Sequence, residues 1–221
     1  MTKILLALLI SFITTSISNK DAFANIKDDT PIIRVGDVIL IDINCYLCKV
    51  IRSETNSAYS HSGLVVGEKN GEFLIAQSLG TTEVVTGTEF LSLKRQKSSV
   101  KVIRSTELNN LFKYNKKEFA SRIRLMQYIY FNKYEGTKFD RDFLWNNSKD
   151  GKELLYCAEM IVKLLNEVLN SKVVPGPMSF KKNWDYWLEY YKESFPPEGL
   201  PGVSPATFET DPHFETVAIL K

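Results

Sequence analysis

The sequence predicts an α+β domain in which an antiparallel sheet packs against helices. Two observations carry this. Short β-branched and apolar runs separated by turn residues fill the first half, and apolar residues at helical spacing fill the second. Strands gathered ahead of helices, without regular alternation, belong to α+β rather than to doubly wound architecture.

The elements follow in order. Ile32 to Ile41 alternates and then runs apolar about Gly36-Asp37, which predicts a strand entered through a turn. Asp42 to Tyr59 reads as polar and irregular. The β-branched run Gly63 to Val66 and the run Phe73 to Ala76, ending at Gln77, flank Asn70-Gly71 and form a hairpin. Thr82 to Thr86 and Val100 to Ile103 predict two more strands, with a short helical piece over Thr88 to Leu93 between them. Over Asn115 to Asn132, the residues Phe119, Ile123, Met126 and Tyr130 recur at spacings of three and four, which predicts an amphipathic helix. Tyr156 to Leu169 predicts a second, with Met160, Ile161, Leu164, Leu165, Val168 and Leu169 inward and Pro175 and Pro177 beyond its end. The tail, with Trp184, Tyr186, Trp187, Tyr190 and Tyr191 and then Pro and Gly, is expected to wrap the surface with little regular structure.

The amino-terminal stretch is expected to stand outside this fold. Lys3, the apolar run Ile4 to Ile13 and Ala22-Phe23-Ala24 have the layout of a secretory leader cleaved after Ala24. That leaves residues 25–221 as a single domain, exported to a periplasm or released, with no stable membrane insertion. The chain carries a formal charge of +2; Lys3, Lys20 and Asp21 precede the cleavage point, so the remainder carries +1 (+2 minus 2, plus 1). A near-neutral chain without a basic block gives no electrostatic basis for binding nucleic acid.

The sequence holds three cysteines and two histidines. Cys45 and Cys48 form a CxxC pair, read as a local disulfide in an oxidising compartment, with a redox dithiol and half of a metal site as the competing readings. A tetrahedral metal site needs a second Cys/His pair, and none follows, so no metal or cofactor is expected. Cys157 opens the second helix on its inward face. There the unpaired N–H groups and the positive end of the helix dipole favour a thiolate and can hold an oxyanion. His61 opens a strand beside a loop, where a neutral imidazole can take the thiol proton. Pairing about Asn70-Gly71 brings Gln77 near His61, as the polar group that orients the ring. Taken singly, each has an ordinary explanation: a small buried hydrophobe, a strand-edge histidine, a polar strand end. His213, within Asp211-Pro212-His213-Phe214, reads as surface.

The runs GDVILIDINCYLCKVI, SAYSHSGLVV, EFLIAQSLG, KYEGTKFDRDFLW and LLYCAEMIVKLL, in that order, resemble the permuted NlpC-type papain-like cysteine hydrolases of the YiiX/YebB-like group. The resemblance covers Gly36 to Leu165, and GLPGVSP in the tail adds to it. It implies a circularly permuted papain-like fold with His ahead of Cys. Cys157 is then the nucleophile, His61 the base and Gln77 the third polar residue, where many members have Glu. It further implies Asp140 and Tyr156 as substrate contacts, Cys45 and Cys48 as a structural pair, and Ala158 where Ser is more usual. The implied reaction is amide hydrolysis through a thioester; the alternative is a non-catalytic or acyltransferase-like module of the same fold that binds a lipid or peptide. The implied substrate is a small cell-wall peptide from peptidoglycan or a lipid amide, the latter because the group also resembles lecithin:retinol acyltransferases. The aromatics from Trp184 to Tyr191 are candidates to line an acyl pocket.

Overall fold

A computed structural model of the protein describes residues 32–192 and 194–221. The leader expected over residues 1–24 lies outside them. In chain order the elements are β1 (Val38–Ile41), α1 (Tyr46–Thr55), β2 (His61–Lys69), β3 (Glu72–Leu79), β4 (Thr81–Thr86), α2 (Gly87–Ser92), β5 (Val100–Ser105), α3 (Thr106–Tyr114) and α4 (Lys116–Ile129). A π-helical turn (Tyr130–Tyr134) extends α4. There follow β6 (Lys138–Phe139), β7 (Ser148–Lys149), β8 (Lys152–Leu155), α5 (Cys157–Val168), β9 (Gly176–Pro177), α6 (Trp184–Tyr191), β10 (Pro201–Gly202), α7 (Thr207–Thr210) and β11 (Phe214–Leu220). Among the described residues the main sheet has nine strands in the order β11-β5-β1-β2-β3-β4-β6-β8-β7. Its pairings are antiparallel except β6 with β8. No helix among the described residues is long and apolar enough to cross a membrane.

The strands alternate as the period of two requires. Val38, Leu40, Leu64, Val66 and Ala76 face one side, where α4 and α5 bring Met126, Ile161, Leu164 and Leu165. Ile39, Ile41, Val65 and Ile75 face the other, beside Val100 and Val102 of β5 and against Phe90 and Leu91 of α2. Burying an aliphatic side chain of this kind contributes about 1.5–3 kcal/mol, so the two clusters hold the sheet between them.

Three segments differ from the sequence reading. The stretch read as irregular contains α1, whose β-branched, Cys, Ser and Thr content is weakly helical on its own. The disulfide sulfur of Cys45 accepts the Cys48 N–H at 3.0 Å to cap it, and Asn56, at φ 52°, closes it in the left-handed conformation. Cys45 and Cys48 are joined as a disulfide in that first turn. The tail is regular where it was expected to be loose: the aromatics form α6, and Phe214–Leu220 pairs with β5 as the edge strand. Helix α6 exists because its amino-terminal donors are met from far away in sequence. Glu54 of α1 accepts the N–H groups of Lys182 and Asn183 and the Trp187 indole N–H.

The opening of β1 is set by a turn at Gly36, whose φ of 97° suits glycine. Beside it the Asp37 carboxylate accepts Arg104 Nε at 2.7 Å and Nη2 at 2.8 Å, and also the Arg34 N–H at 2.8 Å. Arg104 in turn donates to the Ile32 carbonyl at 2.8 Å. This buried two-pronged pair bolts the start of β1 to β5. Removing one partner strands the other charge without solvent, so Asp37→Ala is expected to destabilise the protein by about 3–5 kcal/mol. Urea denaturation of the two proteins side by side measures this, and a change below about 1 kcal/mol would mean that the pair is not desolvated.

Candidate active site

Cys157 is the first residue of α5 and belongs to the cluster on the helix-facing side of the sheet. The amphipathic pattern of CAEMIVKLLNEV presses this helix on the sheet, and the preceding residue, Tyr156, is extended. The first intrahelical bond there runs from the Met160 N–H to the Tyr156 carbonyl at 3.0 Å, and no side chain caps the helix. The N–H groups of Cys157 and Ala158 precede that bond, as the donors of an oxyanion site would.

His61 is the first residue of β2, paired with Ile41 of β1. Ser60 before it is held by the β1 end: its hydroxyl accepts the Ile43 N–H at 3.0 Å and donates to Asp42 Oδ1 at 3.4 Å. Asp42 is itself paired with Arg52 at 2.8 Å and Arg95 at 2.6 Å. The His61 ring packs against Phe90, with centroids 5.6 Å apart. That approach needs Gly63, because a Cβ there would meet Ile75 Cγ2 at 2.4 Å and Phe90 Cε2 at 2.7 Å.

The hairpin does what its turn predicts. The register Leu64↔Ala76 sets Gln77 level with Gly63, on the same face as His61, and the His61 Nε2 to Gln77 Oε1 distance is 2.9 Å. The amide is oriented from behind: Gln77 Nε2 donates to Glu83 Oε1 at 3.4 Å, across the β3–β4 pairing. With its nitrogen on Glu83, Gln77 turns its oxygen to His61, so Nε2 carries a proton and Nδ1 is left for the thiol. Glu83 was not found from the sequence, although the Gln77↔Glu83 register across the tight turn at Gly80 was its signal.

The Cys157 sulfur lies within reach of the His61 ring, and each group acts on the charge of the other. Burial pushes the imidazolium down, but the Cys157 charge and its approach to the ring, with the Gln77 bond, outweigh it and hold His61 above its usual range. Burial likewise pushes the Cys157 thiol up, and the His61 charge and hydrogen bond, with help from Ser62, bring it below the ordinary thiol value. The two directions together favour a thiolate–imidazolium pair.

Cys157 and Tyr156 line a cavity of about 470 Å³ whose apolar wall includes Ile51, Phe143, Met178, Phe180, Trp187 and Val203. Its charged lining is Glu54 and Asp211, with no Lys or Arg among the described residues. The Tyr156 hydroxyl accepts the Val203 N–H at 3.0 Å and so ties the 201–205 wall to the residue before the thiol. Asp140 is buried but does not line this cavity. Its oxygens accept the N–H groups of Asp142 at 2.9 Å and Leu144 at 2.8 Å and the Asn147 amide at 2.8 Å, which folds the loop that carries Phe143 to the wall. The structure thus brings Cys157, His61, Gln77 and Tyr156 together and gives Asp140 to the loop. Glu159 closes the same loop from α5: Oε1 accepts the Asn146 N–H at 2.9 Å and pairs with Lys163 at 2.9 Å. Burial pushes its carboxyl up to about 6 in spite of Lys163. The disulfide lies at the far end of α1 from the cavity residues Ile51, Glu54 and Thr55.

A thiol at a helix terminus, coupled to a histidine at the start of an interior strand that an amide orients, defines the class: a papain-like cysteine hydrolase with His ahead of Cys in the chain. The particular family follows from sequence. The chain belongs to the permuted papain-like amidases of the YaeF/YiiX type, the C92 family, whose model matches residues 32–218. Its fold is similar to the crystal structure of the metalloprotein YiiX from Escherichia coli O157:H7, at 23% identity and a TM-score of 0.64, over 84% of this chain and 96% of that one. No curated protein matches the chain in sequence. Among the described residues no group of three or more His, Cys, Asp or Glu is placed to hold a metal ion.

The orienting bond carries a test. Gln77→Ala removes a partner that favours the charged ring, so the His61 pKa is expected to fall; Gln77→Glu sets a carboxylate there and is expected to raise it. Titration of the His61 ring by NMR reads both, and identical curves for the three proteins would show that the ring is oriented by something else.

Proposed function

We propose that this cysteine amidase uses Cys157 as nucleophile and His61 as general base and acid, outside the cytoplasm, on an amide of a cell-wall peptide or of a lipid. The observation that carries the reading is the buried Cys157–His61 pair, with His61 fixed by Gln77 at 2.9 Å and Cys157 lining the cavity. The Cys157 sulfur attacks the amide carbonyl carbon while His61 Nδ1 holds the thiol proton. The carbonyl oxygen becomes an oxyanion held by the Cys157 and Ala158 N–H groups. Collapse breaks the C–N bond, and the amine leaves with the proton from His61, which yields a thioester. A water molecule, deprotonated by His61, then attacks the thioester carbon and releases the carboxylic acid and the thiol.

The apolar wall suits an acyl or aliphatic group beside the scissile bond, and acidic lining without Lys or Arg disfavours a free carboxylate there. Export rests on the leader pattern Lys3, Ile4 to Ile13 and Ala22-Phe23-Ala24.

Hydrolysis of a panel of stem peptides and N-acyl amino acids, followed by mass spectrometry, tests the reading. Cys157→Ala is expected to abolish turnover and His61→Ala to slow it by about 10²–10⁴-fold; full turnover by Cys157→Ala would end the proposal. The pH profile has a sign that can be worked out. Activity requires the pair to hold one proton, on His61. It is therefore expected to fall on the acid side as Cys157 takes up a proton, at a pH below the ordinary thiol value. It is expected to fall on the alkaline side as His61 loses its own, above the ordinary imidazole value. A bell-shaped kcat/KM against pH is the expected curve, and a profile that rises through the ordinary thiol range without a maximum would contradict the ion pair.

A further inference from the structure

One buried polar group beside the thiol is used by none of the steps above. Ser62 is fully buried, and its hydroxyl makes no hydrogen bond of regular geometry in the resting site. Strand alternation says where it points. Leu64 and Val66 of β2 belong to the helix-facing cluster and Val65 to the opposite one, so Ser62 shares the helix-facing side while His61 lies on the other. Pairing of Ser62 with Leu40 puts it in the same layer as residues that pack with α5. Cys157 belongs to the same cluster, and both the Ser62 hydroxyl and its backbone group are close enough to favour the ionised sulfur.

The contrast with Ser78 is informative. That serine is also fully buried on the helix-facing side, but its hydroxyl is satisfied by the Leu155 carbonyl at 2.7 Å. A buried hydroxyl with no partner costs about 1–3 kcal/mol. Its retention at Ser62, against the reacting sulfur, makes sense if the partner is a charge that exists only when the thiol ionises.

Resting on the Cys157–His61 reading, we propose that Ser62 is a third thiol-site residue, whose buried hydroxyl donates to the Cys157 sulfur once it is ionised and holds it in line with His61. The imidazole approaches from one side of β2 and the hydroxyl from the other. The thiolate is then gripped across the strand, and the hydroxyl changes no bond in the reaction.

The test is the pH dependence of Cys157 alkylation by iodoacetamide, mapped by mass spectrometry, in the full chain and in Ser62→Ala, Ser78→Ala and His61→Ala. Ser62→Ala is expected to move the midpoint upward by about one pH unit, the size of one charge-assisted hydrogen bond. Below that midpoint, where the thiol is protonated and the hydroxyl has no partner, its melting temperature should be unchanged or higher. Ser78→Ala is expected to do the reverse: a lower melting temperature and an unmoved midpoint. An unmoved midpoint in Ser62→Ala overturns the proposal, and so does loss of the fold in that variant, because the residue would then be structural. If His61→Ala also leaves the midpoint where it was, the Cys157–His61 reading itself fails; if His61→Ala shifts it and Ser62→Ala does not, only the role of Ser62 is lost.

Discussion

Helix α5 lies with its apolar face on β2 and β3, and that packing determines where Cys157 stands relative to His61. The helix can dock in only one rotation, because Ile161, Leu164 and Leu165 must all be covered by Leu64, Val66 and Ala76. That rotation turns Cys157 inward at the terminus where backbone donors are free. The thiol and the imidazole are consequently shut away from water. Neither would be charged there alone, and each makes the charge of the other tolerable. Burial is therefore the source of the reactivity as well as its cost.

Around that pair the wall of the cavity is collected from distant parts of the chain by buried polar anchors. Glu54 holds the start of α6 against α1, Tyr156 holds Val203, and Asp140 with Glu159 folds the loop bearing Phe143. Each anchor places an acceptor where backbone N–H groups would otherwise be unpaired in an apolar setting. The anchors explain why an acidic residue can line a mostly apolar cavity without being a ligand group: the Glu54 carboxylate is already occupied by Lys182, Asn183 and Trp187. Asp211 differs: its Oδ1 accepts the His213 N–H at 2.8 Å and lies 2.9 Å from the His213 Nδ1.

Much of the site was legible because its signals are local. His61 and Gln77 meet through a hairpin whose Asn70-Gly71 turn is written in two residues, and Cys157 is inward because of the spacing to Met160 and Ile161. Glu83 needed one more register step, from β3 to β4, and Ser62 needed the knowledge of which face α5 covers. Asp140 was a cleft residue by resemblance alone; its loop does bring Phe143 to the cavity, yet its own carboxylate is turned back on the loop. Helices α1 and α6 were hidden for a common reason: their stability comes from Glu54, Asp42 and the aromatic packing of Trp187 with Phe180 and Phe143, not from propensity.

The sequence by itself determined the α+β class, the hairpin and the amphipathic helices, since each rests on spacing within a few turns of chain, while the pairing of His61 with Cys157 came from the family resemblance. Only the tertiary structure decided that the thiol and imidazole are buried together, that the tail returns as a helix and an edge strand, and which polar residues are anchors. Those outcomes depend on desolvation and on partners more than a hundred residues apart, as Glu54 is from Asn183, and neither leaves a periodic mark in the chain.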